Sequence, residues 1–385
     1  MTRSGWWTEV WTTIAAIVLA LIVGAVLMVV SDPEVISKYA YFFYRPSDAL
    51  SATGAKVGGA YFALLKGAFG GWGPLTQSTS QAAPLIFAGL GVAVAFRAGL
   101  INIGGQGQAI WGAVFAAYVG FAIHLPLVIH VVVALIAGVL GGAIWGGLVG
   151  WLKAKTGAHE VIVTIMLNYV ALQMLAWLLN THAFQRPGRT DQISPIVDWS
   201  ATFARLQGTQ LHVGFLLALA AAAGVWWLLE RSTTGFALKA VGANPHAAAT
   251  AGMSVARMTV IVMVIAGALA GLAGVDVALA PSDSGVPVPL SPGIVGSVGF
   301  DAVTVALVGR SRPLGVVLAG LLFGALHTGG LGMQGAQTPA TLTDALQALI
   351  VLFVAAPALV SRLLPFLRRR AAGSAGTPES TGALT

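Results

Sequence analysis

Polar side chains are scarce in this sequence, and those that fall within apolar stretches gather in four short segments. The first, 99–108, sets Asn102, Gln106 and Gln108 among glycines that permit irregular backbone. Amides at membrane depth need partners, so they face a cavity or another helix; the other reading is a turn with solvated amides. In the second, 159–169, Glu160, Thr164 and Asn168 fall at i, i+4 and i+8, which is one stripe of a helix. Glu160 suits a helix start, and Thr164 can bond its own backbone. Asn168 lies deeper, where it either faces a central path or makes an interhelical hydrogen bond. In the third, 233–252, Asn244 is a good N-cap with Pro245 at the first helical position. Residues 247–251 favour helix, and Gly252 can close it. Such a short helix suits docking into a groove of a soluble protein, or lies against a bundle. In the fourth, 299–315, Asp301 sits within an apolar run, and Asp276 is a similar case further up the chain. A carboxylate inside a membrane is a functional candidate by default. The alternatives for Asp301 are a basic partner, or the cap of a broken helix beginning at Ser291-Pro292.

Several chemistries are missing. The chain has no cysteine, which removes disulfides, thiolate nucleophiles and iron–sulfur clusters. Its seven histidines (His124, His130, His159, His182, His212, His246 and His327) show no metal-ligand spacing. There is no phosphate-binding Gly-x-x-x-x-Gly-Lys-Ser/Thr run, no His-Glu-x-x-His and no Gly-x-Ser-x-Gly. No catalytic residue, metal site or cofactor is therefore expected in this chain.

The elements that must position these residues are membrane helices. Of the 385 residues 57% are hydrophobic and 9% charged, whereas about a quarter of a soluble domain is charged. A chain this apolar needs lipid as the solvent for most of its outside. A spanning helix takes about 20 mostly apolar residues. Ten segments approach that: 12–30, 80–98, 101–123, 125–151, 160–180, 211–229, 258–280, 293–309, 313–332 and 341–361. The segment 293–309 is the shortest and a candidate re-entrant piece. The expected fold is all-α, a polytopic bundle of about ten transmembrane helices. It forms one permease-sized domain over 1–370, followed by a disordered tail over 371–385. The first apolar run is read as a transmembrane helix rather than a cleaved signal, because no small-x-small site follows it. With the N-terminus inside, the inner segments hold Arg3, Arg97, Lys153, Lys155, Arg231, Lys239, Arg257, Arg310, Arg312, Arg362 and Arg368 to Arg370, thirteen of the 20 basic residues. The rest fall in two long outer segments, 31–79 and 181–210, which weigh little in topology. Both termini are expected in the cytoplasm. The net charge of +7 then reports inner loops, the largest being 230–257, rather than a nucleic-acid partner. Gly142, Gly146 and Gly150, and later Gly267 and Gly271, recur every fourth residue, a spacing that lets helix backbones touch.

At the four polar segments the sequence resembles the permease subunits of bacterial ABC importers for branched-chain amino acids, ribose-type sugars and nucleosides, and most of all their nucleoside/simple-sugar branch. Residues 102–108 are similar to an Asn-Ile-Gly-x-Glu-Gly-Gln motif, with Gln106 standing where the family often carries Glu. Residues 159–169 resemble a segment typical of the nucleoside branch. Residues 235–252 resemble the family's cytoplasmic coupling segment, and Gly299 to Asp301 with Arg312 to Gly315 also match. The resemblance covers roughly residues 80 to 360. It implies a multi-pass subunit of a bacterial cell membrane that pairs with a second permease, as a heterodimer. A cytoplasmic ABC ATPase, which uses the ATP, and an extracellular or lipid-anchored substrate-binding protein complete the assembly. The substrate-path candidates are Asn102, Gln106, Gln108, Thr164, Asn168 and Asp301. The ATPase-coupling candidates are Gly235, Lys239, Gly242, Asn244, Pro245, Ala248 and Gly252. The implied cargo is nucleosides or related small hydrophilic solutes such as simple sugars. The competing reading is an ion-coupled secondary transporter with Asp301 or Asp276 as its coupling acid.

Overall fold

Each of the ten apolar segments overlaps a helix within the described residues. The computed structural model describes residues 3–335 and 338–355, so the expected tail at 371–385 and the end of the segment 341–361 lie outside the described residues. The helices are α1 (Arg3–Val30), α2 (Pro33–Tyr39), α3 (Pro46–Phe69), α4 (Trp72–Arg97), α5 (Gly105–Ala122), α6 (Leu127–Thr156), α7 (Glu160–Leu178), α8 (Val213–Arg231), α9 (Thr233–Ala243), α10 (Pro245–Thr250), α11 (Val255–Leu279), α12 (Val298–Val308), α13 (Pro313–Gly335) and α14 (Ala340–Ala355). Among the described residues no sheet forms, only isolated bridges pairing Ile196 with Pro289 and Arg205 with His212.

Among the described residues six helices are long and apolar enough to cross a membrane: α4, α6, α7, α8, α11 and α13. A seventh span arises if α1 and α2, bent by 86°, count as one. Of the remaining expected spans, α5 and α12 are shorter helices, and α14 is described as far as Ala355. At 11 residues, α12 is about 16 Å long, half of what a bilayer requires. Helix α5 starts at Gly105 rather than 101, because the chain from Gly99 (φ 71°) to Gly104 is irregular. The segment 31–79, read above as a long outer connection, instead forms α2, α3 and the first turns of α4. Asp48, Lys56 and Lys66 lower the mean hydropathy of α3, while its alanines and leucines favour helix.

The described residues divide into two compact units. One runs to Leu65 and resumes at Gly330. Within it, Lys56 pairs with Asp32 at 2.7 Å and the Tyr61 hydroxyl donates to the Leu21 carbonyl. The other, Lys66–Gly329, holds all four polar segments. Helix α11 is its centre, with α4, α5 and α6 packed around it. Helix α6 shows the rule of packing in lipid. Val128, Val132, Ile136, Leu140, Ile144 and Leu148, every fourth residue, are exposed. Ala134, Gly138, Gly142, Gly146 and Gly150, also every fourth, are buried. The apolar face looks outward and the small-residue face meets another backbone, which is the inverse of a soluble helix.

Candidate functional site

Two helices begin at the same place. A Cβ on Gly105, the first residue of α5, would lie 3.2 Å from the carbonyl oxygen of Gly299, in the first turn of α12. The backbones meet there because neither residue has a side chain. Gln106 bridges the junction. Its Nε2 donates to the Gly296 carbonyl at 2.7 Å, and its Oε1 accepts from the Gly299 amide at 2.9 Å. The second bond satisfies one of the amides that a helix start leaves unpaired. An ionised glutamate at this position would keep the acceptor and lose the donor, so Gln106 is matched to the Gly296 carbonyl. Asp301, half-buried in the same turn, accepts from Ser297 Oγ at 2.6 Å. Asp301 therefore lies in the first turn of α12, which begins at Val298 rather than near Ser291 and whose N-cap position is held by Ser297, not by Asp301.

The other amides are buried and bonded. Asn102 Nδ2 donates to Gln108 Oε1 at 3.1 Å, and Asn102 Oδ1 accepts from the Gly104 amide at 2.9 Å. From α7, Asn168 Oδ1 accepts from the Gly107 amide at 2.8 Å and Nδ2 donates to the Ile103 carbonyl at 2.9 Å. Asn168 thus takes the interhelical role and pins the irregular loop to α7. Thr164 is buried one turn earlier and bonds its own helix at the Val161 carbonyl, 3.0 Å away. At the head of the stripe, Glu160 pairs with Lys153 at 2.5 Å. Replacing Asn168 by alanine orphans a buried amide and a buried carbonyl, at about 1–3 kcal/mol each. A thermal melt of the purified protein in detergent is expected to show a drop of several degrees, which Asn168→Asp only partly avoids.

The coupling candidates form a helix–turn–helix. The Ser232 hydroxyl caps α9 by accepting from the Gly235 amide at 2.9 Å. Asn244 Oδ1 caps α10, accepting from the amides of His246 at 3.0 Å and Ala247 at 3.1 Å, with Pro245 at N1. Gly252 takes φ 83° just after the helix, as its sequence position suggested. Of α10 only Ala248 is buried; its other five residues are exposed. Lys239 lies 3.3 Å from Glu230 on the outside of α9. Gly242 turns inward. A Cβ there would sit 2.6 Å from the Arg97 carbonyl oxygen. A Cβ on Gly99 would in turn lie 3.1 Å from the Gly242 carbonyl oxygen. The end of α9 therefore touches the first residue of the loop that carries Asn102.

Asp276 is the more deeply buried of the two intramembrane acids, at 2% exposure. Its Oδ1 lies 3.6 Å from Nδ1 of His212, too far for a hydrogen bond. No local pattern marks this pair, since its members are 64 positions apart. Among the described residues no three His, Asp or Glu side chains gather as a metal site.

A family model described as branched-chain amino acid transport system / permease component matches residues 75–355. The chain is 36% identical over 365 residues to the guanosine ABC transporter permease protein NupP of Bacillus subtilis, covering 93% of this chain and 96% of that protein. It is 31% identical over 360 residues to the glucose ABC transporter permease protein TsgB13 of Haloferax volcanii, covering 90% and 87%. It is 32% identical over 316 residues to the nucleoside ABC transporter permease protein NupB of Lactococcus lactis, covering 79% and 85%. A second B. subtilis guanosine permease protein, NupQ, is 25% identical over 63% of this chain and 77% of its own. No solved structure matches.

Proposed function

The chain belongs to the permease-component family of the branched-chain amino acid transport systems, and from that premise we propose that it forms the path for nucleosides in an ABC importer. It is a multi-pass permease subunit, and its relatives are transport components rather than enzymes. Nucleosides are favoured over simple sugars because the guanosine permease aligns over nearly the whole of both chains. The relatives come as distinct permease proteins within one organism, which supports a heterodimer with a second permease. Both termini lie in the cytoplasm of a bacterial cell, and residues 1–370 work as one permease. A binding protein, lipid-anchored or free, delivers solute from outside. An ion-coupled carrier built on Asp276 or Asp301 is set aside, because the relatives above are all ABC permeases.

One observation carries the coupling role. Helix α10 is capped at both ends and exposed on five of its six residues, which is the form of a rigid plug for a partner's groove. The ATPase docks on α9–α10, and its movement reaches the bundle through the Gly242–Gly99 contact. Among the substrate-path candidates, Gln106 and Asp301 remain partly accessible. Asn102, Gln108, Thr164 and Asn168 serve the path by holding its wall. The test is purification of the tagged protein from its own membranes in mild detergent, with mass spectrometry of what accompanies it. An ATPase bearing a phosphate-binding loop and a second permease are expected. A lone or purely homo-oligomeric protein would refute the reading.

A further inference from the structure

A cavity of about 420 Å³ opens between α4, the segment 205–212, the last turn of α11 and the chain from Pro281 to Ile294. This size is within the usual range for small-molecule sites, about 300–1,000 Å³. Its wall carries an unusual number of unmet hydrogen-bonding groups. Asp276 Oδ1, His212 Nδ1 and Gln210 Oε1 are buried without a partner. Asp276 and His212 are 2% and 5% exposed. The Gln81 amide and the Ser291 hydroxyl also line the cavity and make no side-chain hydrogen bond among the described residues. Native interiors rarely leave such groups unpaired unless a ligand or water completes them.

The chemistry of the wall selects a class of ligand. Arg205 is its one cation, and the two terminal guanidinium nitrogens are already committed to the carbonyls of Pro281, Ser282 and Asp283. Of the guanidinium nitrogens only Nε lacks a partner, which leaves little of the cation for a phosphate or a carboxylate, and the exposed Asp283 carboxylate repels both. Gln210 presents an acceptor, while Asp276 and His212 can each donate or accept according to protonation and tautomer, so a ligand group that does both, such as a hydroxyl, fits the wall. Gln81 and Ser291 can meet either kind of group. Val288 and Ile294 supply an apolar face for a flat ring or a sugar face.

The position of the cavity fits an entry point. Asp276 lies 21 residues beyond Val255 on α11, about 32 Å along the helix axis from the α10 junction. The cavity is therefore at the end of the bundle opposite the exposed coupling helix. Between them stands the junction of α5 and α12, where Gln106 bonds Gly296, two residues past Ile294.

We propose that this cavity is a solute-binding site of the permease, taking an uncharged solute through vicinal hydroxyls, as on a ribosyl group or a hexose. The proposal rests on the importer reading above, and the two fail separately. The experiment measures equilibrium binding of radiolabelled guanosine and glucose to the purified permease complex in nanodiscs. The wild type is compared with Gln81→Leu and Ser291→Leu, each at a partly exposed position. Retention of the ATPase in the purified complex reports folding and the importer reading. Saturable binding of one probe is expected, weakened at least tenfold by each substitution. The probe that binds identifies a ribosyl or a hexose ligand, and guanosine monophosphate is expected not to compete. Wild-type affinity in both variants, equal competition by the monophosphate, or no saturable binding of either probe to an intact complex would overturn the proposal.

Discussion

Replacing Gly242 by leucine is expected to cut ATP-driven uptake roughly tenfold or more, on the order of 1.4 kcal/mol of lost coupling, while the protein still inserts. The end of α9 rests on the chain leaving α4 with no side chain between them. A Cβ at Gly242 would lie 2.6 Å from the Arg97 carbonyl oxygen and 2.7 Å from the Ala98 carbonyl carbon. Those atoms are backbone and cannot rotate away. Gly99 faces the same contact and holds φ 71°, which other residues adopt at a cost. Just beyond Gly99 begins the loop whose Asn102 and Ile103 groups are bonded to Gln108 and Asn168. A leucine at 242 therefore parts the docking segment from the chain that leads to the wall of the path, at the point where the two touch. Gly224, exposed on α8 with nothing within 4 Å of a built Cβ, is the control, and Gly224→Leu is expected to transport normally. Asn244→Ala should lie between the two, since it loses a cap worth about 1 kcal/mol and leaves the contact intact. Uptake of labelled nucleoside by cells carrying the complete transporter reads all three. Wild-type uptake by Gly242→Leu would mean that force reaches the bundle elsewhere.

How much of this was legible in the sequence depended on how far apart the interacting groups lie. The α10 caps were readable because Asn244, Pro245 and Gly252 act on their own neighbours. The small-residue stripe of α6 was readable because helical period alone puts those glycines on one face. The amide segments were visible as a problem but not as an answer. Asn168 and its partners at 103 and 107 are more than 60 residues apart, and the same residues would also have suited a wet path. Helix α3 was missed for a different reason. Its lysines counted against a span, yet Lys56 is neutralised by Asp32, 24 positions earlier. The cavity at Asp276 was hidden most completely, because four separate stretches build it and each looks unremarkable alone.

Gly142→Leu is expected to leave little folded protein, and the reason lies in what drives helices together in lipid. Burying apolar surface gains nothing when the alternative solvent is hydrocarbon, so association depends on close van der Waals packing. The crossing of α6 and α11 depends on it throughout. A Cβ at Gly142 would collide with the Gly267 carbonyl and lie 2.5 Å from the Gly271 Cα. Gly146 meets Met263 and Gly267, and Gly150 meets Val260, one and two turns away. Forcing the helices apart at 142 loosens every contact in the row. Overpacking typically costs about 1–3 kcal/mol and more where backbone must move, a sizeable part of a total stability of about 5–15 kcal/mol. Fluorescence-detected size exclusion of a tagged variant should show a collapsed monodisperse peak, and any surviving protein should melt at least 10 °C lower. Gly147→Leu, whose built Cβ meets only the end of the Val264 side chain, should be milder. A Gly142→Leu protein that melts like the wild type would mean that the crossing is plastic. Such plasticity would also weaken the coupling argument, because α11 runs from the docking segment to Asp276 and can transmit a push only if its neighbours hold it rigid.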